Sequence, residues 1–362
     1  MRVRYLRIAG SRAEKLARLS RVSIAEVDEP VPGKGLDRMT PQSESDYNDW
    51  PEITNLFPWS HSGCQLKRTW PIAESRSLIE RRWRELLHEV PRHRGPLLRE
   101  TGYRTTTSTP ARLLGSGPRL RELRELDQDD EPEGFERYGY RSLDRQWIIA
   151  DNRLADRPRP ELWAARGARQ VFLTTLTSTK LGQGPAVTAT PYVPDLDHFR
   201  GSYGAKNVMP LYRNPSGEDT NISDGLLAVL TEQLGGETSA EDLLAYVYAL
   251  AGTAAFSDRF NDELAEAAGP IHIPITADSD LFQQAVALGR DLLWWHTWGE
   301  RFAPEGRSHL PEGHAEEVRP VEGMPEDFDY DSESLTLTVG TGAFAPVSQE
   351  AWGFEVSGLT GC

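Results

Sequence analysis

Residues 138–163 read YGYRSLDRQWIIADNRLADRPRPELW, and this stretch joins a strand-like run to loops that are dense in arginine. Gln146–Ala150 is rich in β-branched and aromatic residues and lies between turn residues, which is typical of a strand. Three similar runs follow, at Gln170–Leu176, Ala186–Tyr192 and Asn207–Tyr212. The centre of the chain is therefore predicted to be β-rich.

C-terminal to this section, the apolar residues recur with the period of a helix. The predicted helices cover Ser223–Leu234, Ser239–Ala251, Ala255–Ala267 and Asp280–Trp298. Ser239 and Asp242 are spaced as a capping pair at the start of the second of these helices. Residues 299–334 are rich in Pro, Gly and Glu and are predicted to be a loop, with strands after it at Leu335–Val339 and Trp352–Val356.

The N-terminal part is predicted to contain a short strand, Val3–Ile8, a basic helix, Ser11–Leu19, and a long surface loop at 28–52. A further helix follows, with Ser77 and Glu80 as its capping box and Pro91 after its end. Its predicted buried face consists of Ile79, Trp83, Leu86, Leu87 and Val90.

Two polar stretches, at 104–118 and 127–134, bracket a candidate domain boundary near residue 130. The sequence therefore predicts an α+β protein of two domains. We expect residues 1–130 to form a small mixed α/β connector and residues 131–362 to form a β-rich section followed by a helical section.

Charge is distributed unevenly along the chain, whose formal net charge is −15. Residues 1–125 hold 23 Lys and Arg against 16 Asp and Glu, residues 132–213 hold 12 against 8, and residues 214–362 hold 5 against 27. A basic front of this kind favours phosphate contacts in spite of the negative total. Arginine greatly outnumbers lysine, which suits bidentate contacts; a GC-rich genome explains this bias equally well.

The sequence offers no apolar signal segment and no run of apolar residues long enough for a membrane span. Cys64 and Cys362 are its two cysteines, too few for a disulfide framework. We therefore expect a cytoplasmic protein with no membrane partner.

Motifs for catalysis are missing from the sequence. Asn214-Pro215-Ser216-Gly217 contains the one Asn-Pro pair and is interpreted as a turn rather than as the NPP-type motif of a methyltransferase. Gly115-Ser116-Gly117 lacks the third glycine of a dinucleotide loop, and no phosphate-binding GxxxxGK[ST] loop is present. We expect no catalytic residue and no cofactor held by this chain alone.

Two groups of residues and one single histidine could be metal ligands, and each has a simpler interpretation. Asp195, Asp197 and His198 favour a turn with hydrogen-bonding carboxylates. Asp327, Asp329, Asp331 and Glu333 alternate like a calcium loop but lack its glycine and its distant glutamate, so a solvated acidic loop is favoured. His296, on an aromatic helix face, is expected to be a core histidine. No metal site is predicted.

Cations interleaved with aromatic residues and glycines are the best candidates for contacts with nucleic acid, because arginine and lysine bind phosphates and arginine also reads guanine. The candidate DNA-binding residues are Arg141, Arg145, Arg153, Arg157, Arg159, Lys180, Arg200, Lys206 and Arg213. Arg157 and Arg159 flank a proline, which stiffens the loop that presents them. Gly201 and Gly204 would let the backbone approach a phosphate. The alternative for each arginine is a structural ion pair, for example with Asp144 or Asp151.

Four segments of the chain resemble the carboxy-terminal part of Type ISP restriction–modification enzymes. They are VRYLRIAGSRAEKL at 3–16, WPEITNLFPWSHSGCQLKRTWPIA at 50–73, YRSLDRQWIIADNRLADRPRPELW at 140–163 and DLDHFRGSYGAKNVMPLYR at 195–213. The resemblance implies the end of a methyltransferase region followed by a target-recognition domain that serves phage defence. The family typically continues beyond WGFEVSGL at 352–359, so we expect a split subunit, a decayed gene fragment or an excised piece.

These observations lead to one main hypothesis and two alternatives. The chain is expected to recognise a sequence in double-stranded DNA without chemistry of its own, with a methyltransferase or translocase subunit as a partner. One alternative is a split or residual adenine-N6 methyltransferase component, for which S-adenosylmethionine would be bound through that partner. The other is a protein-interaction remnant that no longer contacts DNA.

Overall fold

The computed structural model describes residues 4–5, 12–21, 29–30, 46–177, 180–200, 207–264, 271–307, 309–311, 313–321, 327–356 and 359–360. The chain divides into two compact units, Met1–Asp46 and Tyr47–Cys362. In the first unit, strand β1 (Arg4–Tyr5) pairs antiparallel with β2 (Glu29–Pro30), and helix α1 covers Arg12–Leu19. The predicted strand Val3–Ile8 lies mostly outside the described residues.

The second unit contains the remaining helices and strands. Its helices are α2 (Ile53–Leu56), α3 (Arg76–His88), α4 (Arg94–Leu98), α5 (Pro160–Ala164), α6 (Leu226–Leu234), α7 (Ala240–Ala251), α8 (Ala254–Arg259), α9 (Asn261–Leu264), α10 (Ser279–His296) and α11 (Gln349–Trp352). Its strands are β3 (Ile72–Ala73), β4 (Phe135–Tyr138), β5 (Gln146–Ile149), β6 (Phe172–Thr175), β7 (Thr188–Thr190), β8 (Asn207–Pro210), β9 (Glu316–Arg319), β10 (Phe328–Asp331), β11 (Thr336–Val339), β12 (Gly342–Ala345), β13 (Glu355–Val356) and β14 (Leu359–Thr360). The predicted α+β class is confirmed.

An antiparallel sheet in the order β7-β6-β8 lies in the larger hydrophobic core. Every residue of β6 is buried, because helices α7 and α10 contribute to the same core. The two helices pack so closely that a Cβ atom at Gly289 of α10 would lie 1.8 Å from the carbonyl oxygen of Ala245 in α7. Glycine is therefore required at this helix contact.

Helix α7 begins as the sequence predicts. The Ser239 hydroxyl accepts a hydrogen bond from the Asp242 amide at 3.1 Å, and the Asp242 carboxylate accepts one from the Ser239 amide at 3.0 Å. This reciprocal capping box satisfies two amides that the first turn of a helix leaves without backbone partners.

A second core forms where α3 packs on the antiparallel sheet β3-β5-β4. The predicted cap of α3 was wrong by two residues, since Ser75, not Ser77, accepts the hydrogen bond from the Leu78 amide at 3.3 Å. Val90 is exposed rather than buried, because α3 ends at His88. The predicted domain boundary near residue 130 stays a prediction; residues on both sides of it contribute strands to this one sheet.

Residues 299–334 are not a single loop, since they contain β9 and β10. These strands join β11 and β12 in an antiparallel sheet of order β10-β11-β12-β9 whose edge strands are largely exposed and carry carboxylates. Asp329 and Asp331 alternate with aromatic residues because they lie in strand β10, whose successive side chains point to opposite faces. The predicted acidic loop was therefore wrong at these two positions. The predicted strand Trp352–Val356 was wrong in part, since Trp352 ends helix α11.

Candidate nucleic-acid interface

An extended segment, residues 61–66, is held between elements that are distant in the sequence. The backbone of His61 exchanges two hydrogen bonds with that of Val208 in β8, at 3.0 and 2.7 Å. The amide of Cys64 donates to the carbonyl of Pro194 at 2.9 Å. The segment thereby joins the sheet β7-β6-β8 to the loop that carries Asp195.

Asp195 organises the loops around this segment. Its buried carboxylate accepts hydrogen bonds from the Tyr138 hydroxyl at 2.8 Å, from Arg141 at 3.0 Å and from the Asp197 amide at 2.9 Å. Burial raises the pKa of Asp195, although the hydrogen bonds from Asp197 and Tyr138 and the charge of Arg141 act in the opposite direction. A Cβ atom on Gly63 would lie 2.3 Å from the Asp195 carbonyl oxygen, so glycine is needed for this close approach.

Arg141 is fixed in place but remains partly open to solvent. Its guanidinium pairs with Asp195 at 3.0 Å and stacks 3.9 Å from the ring centroid of Tyr140, and its side chain is 39% exposed. The neighbouring Ser142 hydroxyl donates to the carbonyl of His198 at 2.7 Å. The loop that bears Arg141 is thus attached to the loop that leads to Arg200.

Arg145 is also paired and half-exposed. It lies 3.3 Å from a carboxylate oxygen of Glu300 and 4.8 Å from the ring centroid of Trp298, beyond the end of α10. The Tyr192 hydroxyl donates to the same carboxylate. Binding of a phosphate or a base by Arg145 would have to compete with Glu300.

Arg153 lies inside the protein. Its side chain is 3% exposed and that of Asp151 is 0% exposed, and the two form a bidentate pair with distances of 2.8 and 2.6 Å. The guanidinium also lies 5.5 Å from the ring centroid of the buried Trp83. This geometry gives Arg153 a structural role, which is the alternative that the sequence had left open for Asp151 and a neighbouring arginine.

Arg157 and Arg159 are presented differently from Arg153. Arg157 is exposed, and its side chain makes no hydrogen bond or ion pair with any residue that the structure describes. Arg159 adopts the left-handed conformation, with φ 53°, immediately before Pro160 and helix α5. Its Nε is buried without a hydrogen-bond partner among the described residues. The exposed Arg157 side chain is therefore a candidate for an external ligand, and so is the accessible part of the partly exposed Arg159 side chain.

Three further candidates, Lys180, Arg200 and Arg213, lie on other loops in the described part of the chain. Arg200 donates to the carbonyl of Lys180 at 3.2 Å, so these two cations are neighbours, and the Lys180 side chain is exposed. Arg213 is exposed at one end of a turn, where its amide donates a hydrogen bond to the carbonyl of Asp219 at 2.8 Å. Lys206, like Gly201 and Gly204, lies outside the described residues.

The sequence Asp195-Leu196-Asp197-His198 does not form a metal site. The Asp195 carboxylate is occupied as described above, and the Nδ1 atom of His198 lies 2.9 Å from the Thr174 hydroxyl. Burial, with a smaller contribution from Arg141, lowers the pKa of His198 to about 3. Within the described part of the chain, no group of three His, Cys, Asp or Glu residues could hold a metal ion.

Two further motifs have structural roles. Asn214 forms the predicted turn, since its side-chain oxygen accepts hydrogen bonds from the amides of Gly217 at 3.1 Å and Glu218 at 3.2 Å. His296 is partly buried rather than fully in the core, and its Nδ1 atom lies 2.6 Å from the hydroxyl of the buried Tyr248. Burial lowers its pKa to about 4.

Gln65, Lys67 and Arg68 belong to this neighbourhood but were missed by the sequence reasoning. Arg68 is buried and lies 3.4 Å from Asp156, whereas Lys67 is exposed, 3.9 Å from the same carboxylate. Gln65 is the backbone partner of Arg157. No local pattern could have identified Gln65, because its role depends on pairing with a residue far along the chain.

The fold and these loops define an α+β protein that presents arginine side chains on loops fixed by buried polar contacts. The chain belongs to the family described as the Type ISP C-terminal specificity domain, whose model matches residues 55–362. The predicted family is therefore confirmed. No functionally curated protein matches the chain significantly.

Three solved structures are similar in fold. The DrdV–DNA complex is 16% identical with a TM-score of 0.56, and the match covers 96% of this chain and 36% of that chain. The Type ISP restriction–modification enzyme LlaBIII bound to DNA is 15% identical with a TM-score of 0.56, covering 92% and 22%. A nuclease-deletion mutant of the Type ISP enzyme LlaGI, in complex with a DNA substrate mimic, is 15% identical with a TM-score of 0.51, covering 97% and 28%. The chain thus spans 22–36% of the length of these proteins.

Proposed function

We propose that this chain recognises a sequence in double-stranded DNA as the specificity module of a restriction–modification system. The observation that carries the proposal is the membership of residues 55–362 in the specificity-domain family. The three similar structures are DNA complexes, which adds support. Chemistry on the DNA would be done by a partner methyltransferase or translocase subunit, in the cytoplasm. None of the helices in the described part of the chain could span a lipid bilayer.

We divide the candidate residues into those that position the DNA by binding phosphates and those that read its bases. Arg141, Arg145 and Lys180 are partly or fully exposed cations on neighbouring loops, and we assign them to phosphate contacts. Arg157 and Arg159, on a loop stiffened by proline, are assigned to base edges. Arg153 is left out of this set because its guanidinium is buried against Asp151.

Fluorescence anisotropy with a labelled duplex, measured at a series of salt concentrations, tests the proposal. Each phosphate contact contributes about −0.9 to the slope of log K against log salt for duplex DNA. The triple variant Arg141→Ala, Arg145→Ala, Lys180→Ala should flatten that slope by about three. Arg259→Ala, which removes an exposed arginine at the end of α8, is the control and should leave it unchanged. A wild-type chain that fails to bind duplex DNA at low salt would overturn the proposal.

A further inference from the structure

Gln65 and Arg157 form a backbone pair in which Arg157 is exposed and Gln65 is partly buried. The amide of each residue donates to the carbonyl of the other, at 2.9 Å in both directions. In such an antiparallel pair, the Cα atoms lie about 5.5 Å apart and the two side chains project from the same face. The adjacent Cys64, Leu66 and Asp156 are buried, so the shared face of the pair is the outer one.

The pair is anchored by a buried ion pair directly beneath it. Asp156 accepts hydrogen bonds from the Thr101 hydroxyl at 2.6 Å and from Arg68 at 3.4 Å. Arg68 also donates to the carbonyls of Leu154 at 3.1 Å and Arg99 at 3.0 Å. These contacts fix the two extended segments relative to each other before any ligand binds, which lowers the entropic cost of binding.

Both outer side chains lack the partners that they are able to bind. Arg157 makes no side-chain hydrogen bond or ion pair within the described part of the chain. The Oε1 atom of Gln65 is buried with no hydrogen-bond partner there. An unsatisfied buried acceptor is uncommon in a folded protein and requires an explanation. Since this oxygen is enclosed, a ligand can engage the Gln65 amide after the side chain rotates outward, and that rotation breaks no protein hydrogen bond at the oxygen.

We propose that Gln65 and Arg157 together read two neighbouring base pairs in the major groove, Gln65 an adenine and Arg157 a guanine. The inference rests on the proposed DNA recognition and names the reading residues within it. A glutamine side chain pairs with N6 and N7 of adenine, and an arginine side chain with O6 and N7 of guanine. The two side chains start about 5.5 Å apart at the backbone, and both are long enough to converge on successive bases, which are stacked about 3.4 Å apart.

Selection from a duplex library with a randomised segment, using the full 362-residue chain, tests the assignment. The wild-type chain should select a motif that contains adjacent adenine and guanine positions. Gln65→Ala should lose about 5- to 150-fold of the preference at the adenine alone, and Arg157→Ala should lose as much at the guanine alone. Gln65→Glu should change the preferred base from adenine to cytosine, because a carboxylate accepts from the cytosine amino group.

Matched controls separate base reading from loss of charge or of folding. Gln283→Ala removes an exposed amide from α10 and Arg259→Ala an exposed cation from α8; both should select the wild-type motif. Thermal melting checks that every variant is folded. If the wild type selects a motif and both Gln65 variants select the same one, the assignment is overturned while DNA recognition stands. If the wild type selects no motif, the proposed function and this inference fall together.

Discussion

Replacement of Arg153 by alanine should destabilise the fold strongly, because it leaves a buried carboxylate without its cation. The change removes both hydrogen bonds to Asp151 and a weaker one, at 3.3 Å, to the carbonyl of Arg121. Breaking a buried ion pair in this way costs about 3–5 kcal/mol. Asp151 would keep two donors, the amides of Glu133 at 3.1 Å and of residue 153 at 2.9 Å. We therefore expect a loss near the lower limit, about 3 kcal/mol.

Equilibrium unfolding in urea, followed by tryptophan fluorescence and circular dichroism, measures this loss. The matched control is Arg81→Ala on α3, whose side chain is 65% exposed and 3.7 Å from Glu85. Removing such a surface pair should cost less than about 0.5 kcal/mol. The reasoning fails if Arg153→Ala loses less than about 1 kcal/mol, a value typical of an ordinary hydrogen bond. It also fails if the variant is as stable as the wild type but no longer binds DNA, because Arg153 would then be a contact residue.

Three other changes have definite expected outcomes. Glu300→Gln should strengthen binding to non-specific duplex about two- to fivefold in anisotropy titrations at low salt, because it frees Arg145 and removes a negative charge; weaker binding would mean that the carboxylate positions the arginine. Gly63→Ala should cost roughly 1–3 kcal/mol in urea unfolding, since the new Cβ would meet backbone atoms that cannot move independently; an unchanged midpoint would contradict the close approach. The unfolding free energy should fall as pH decreases from 6.5 toward 4, because the unfolded chain protonates His296 while the folded chain, with a pKa of about 4, does not. In His296→Asn the slope of unfolding free energy against pH should be smaller by about 1.4 kcal/mol per pH unit, which corresponds to one proton. A variant with the same slope as the wild type would refute the assignment to His296.

Local sequence patterns predicted the elements whose buried faces are continuous. Helices α7 and α10 follow a helical period over several turns, and none of their ends differs from the predicted one by more than two residues. Strand β6 was found because it is an apolar run bounded by turn residues. The exposed strands β9 and β10 were missed, since neither has a buried face to produce an alternating pattern.

The candidate interface was only partly accessible from the sequence. Arg153 and Arg157 occur in one loop with similar neighbours, yet the first is buried and the second exposed. The one local sign that Arg153 would be buried was Asp151, its ion-pair partner, two residues before it. Gln65 had no such signal, because strand pairing between distant segments depends on the tertiary fold. Composition thus located the loops, whereas packing decides which side chains face outward.

The sheet β10-β11-β12-β9 has open edges whose backbone groups could pair with another molecule. Glu316 and Glu317 lie exposed on one edge strand, and Asp329 and Asp331 on the other. Two copies of the protein that approached edge to edge would bring carboxylates together, and their mutual repulsion would oppose the growth of aggregates. Acid or concentrated salt weakens that repulsion. Storage at neutral pH and moderate ionic strength should therefore keep the protein dispersed.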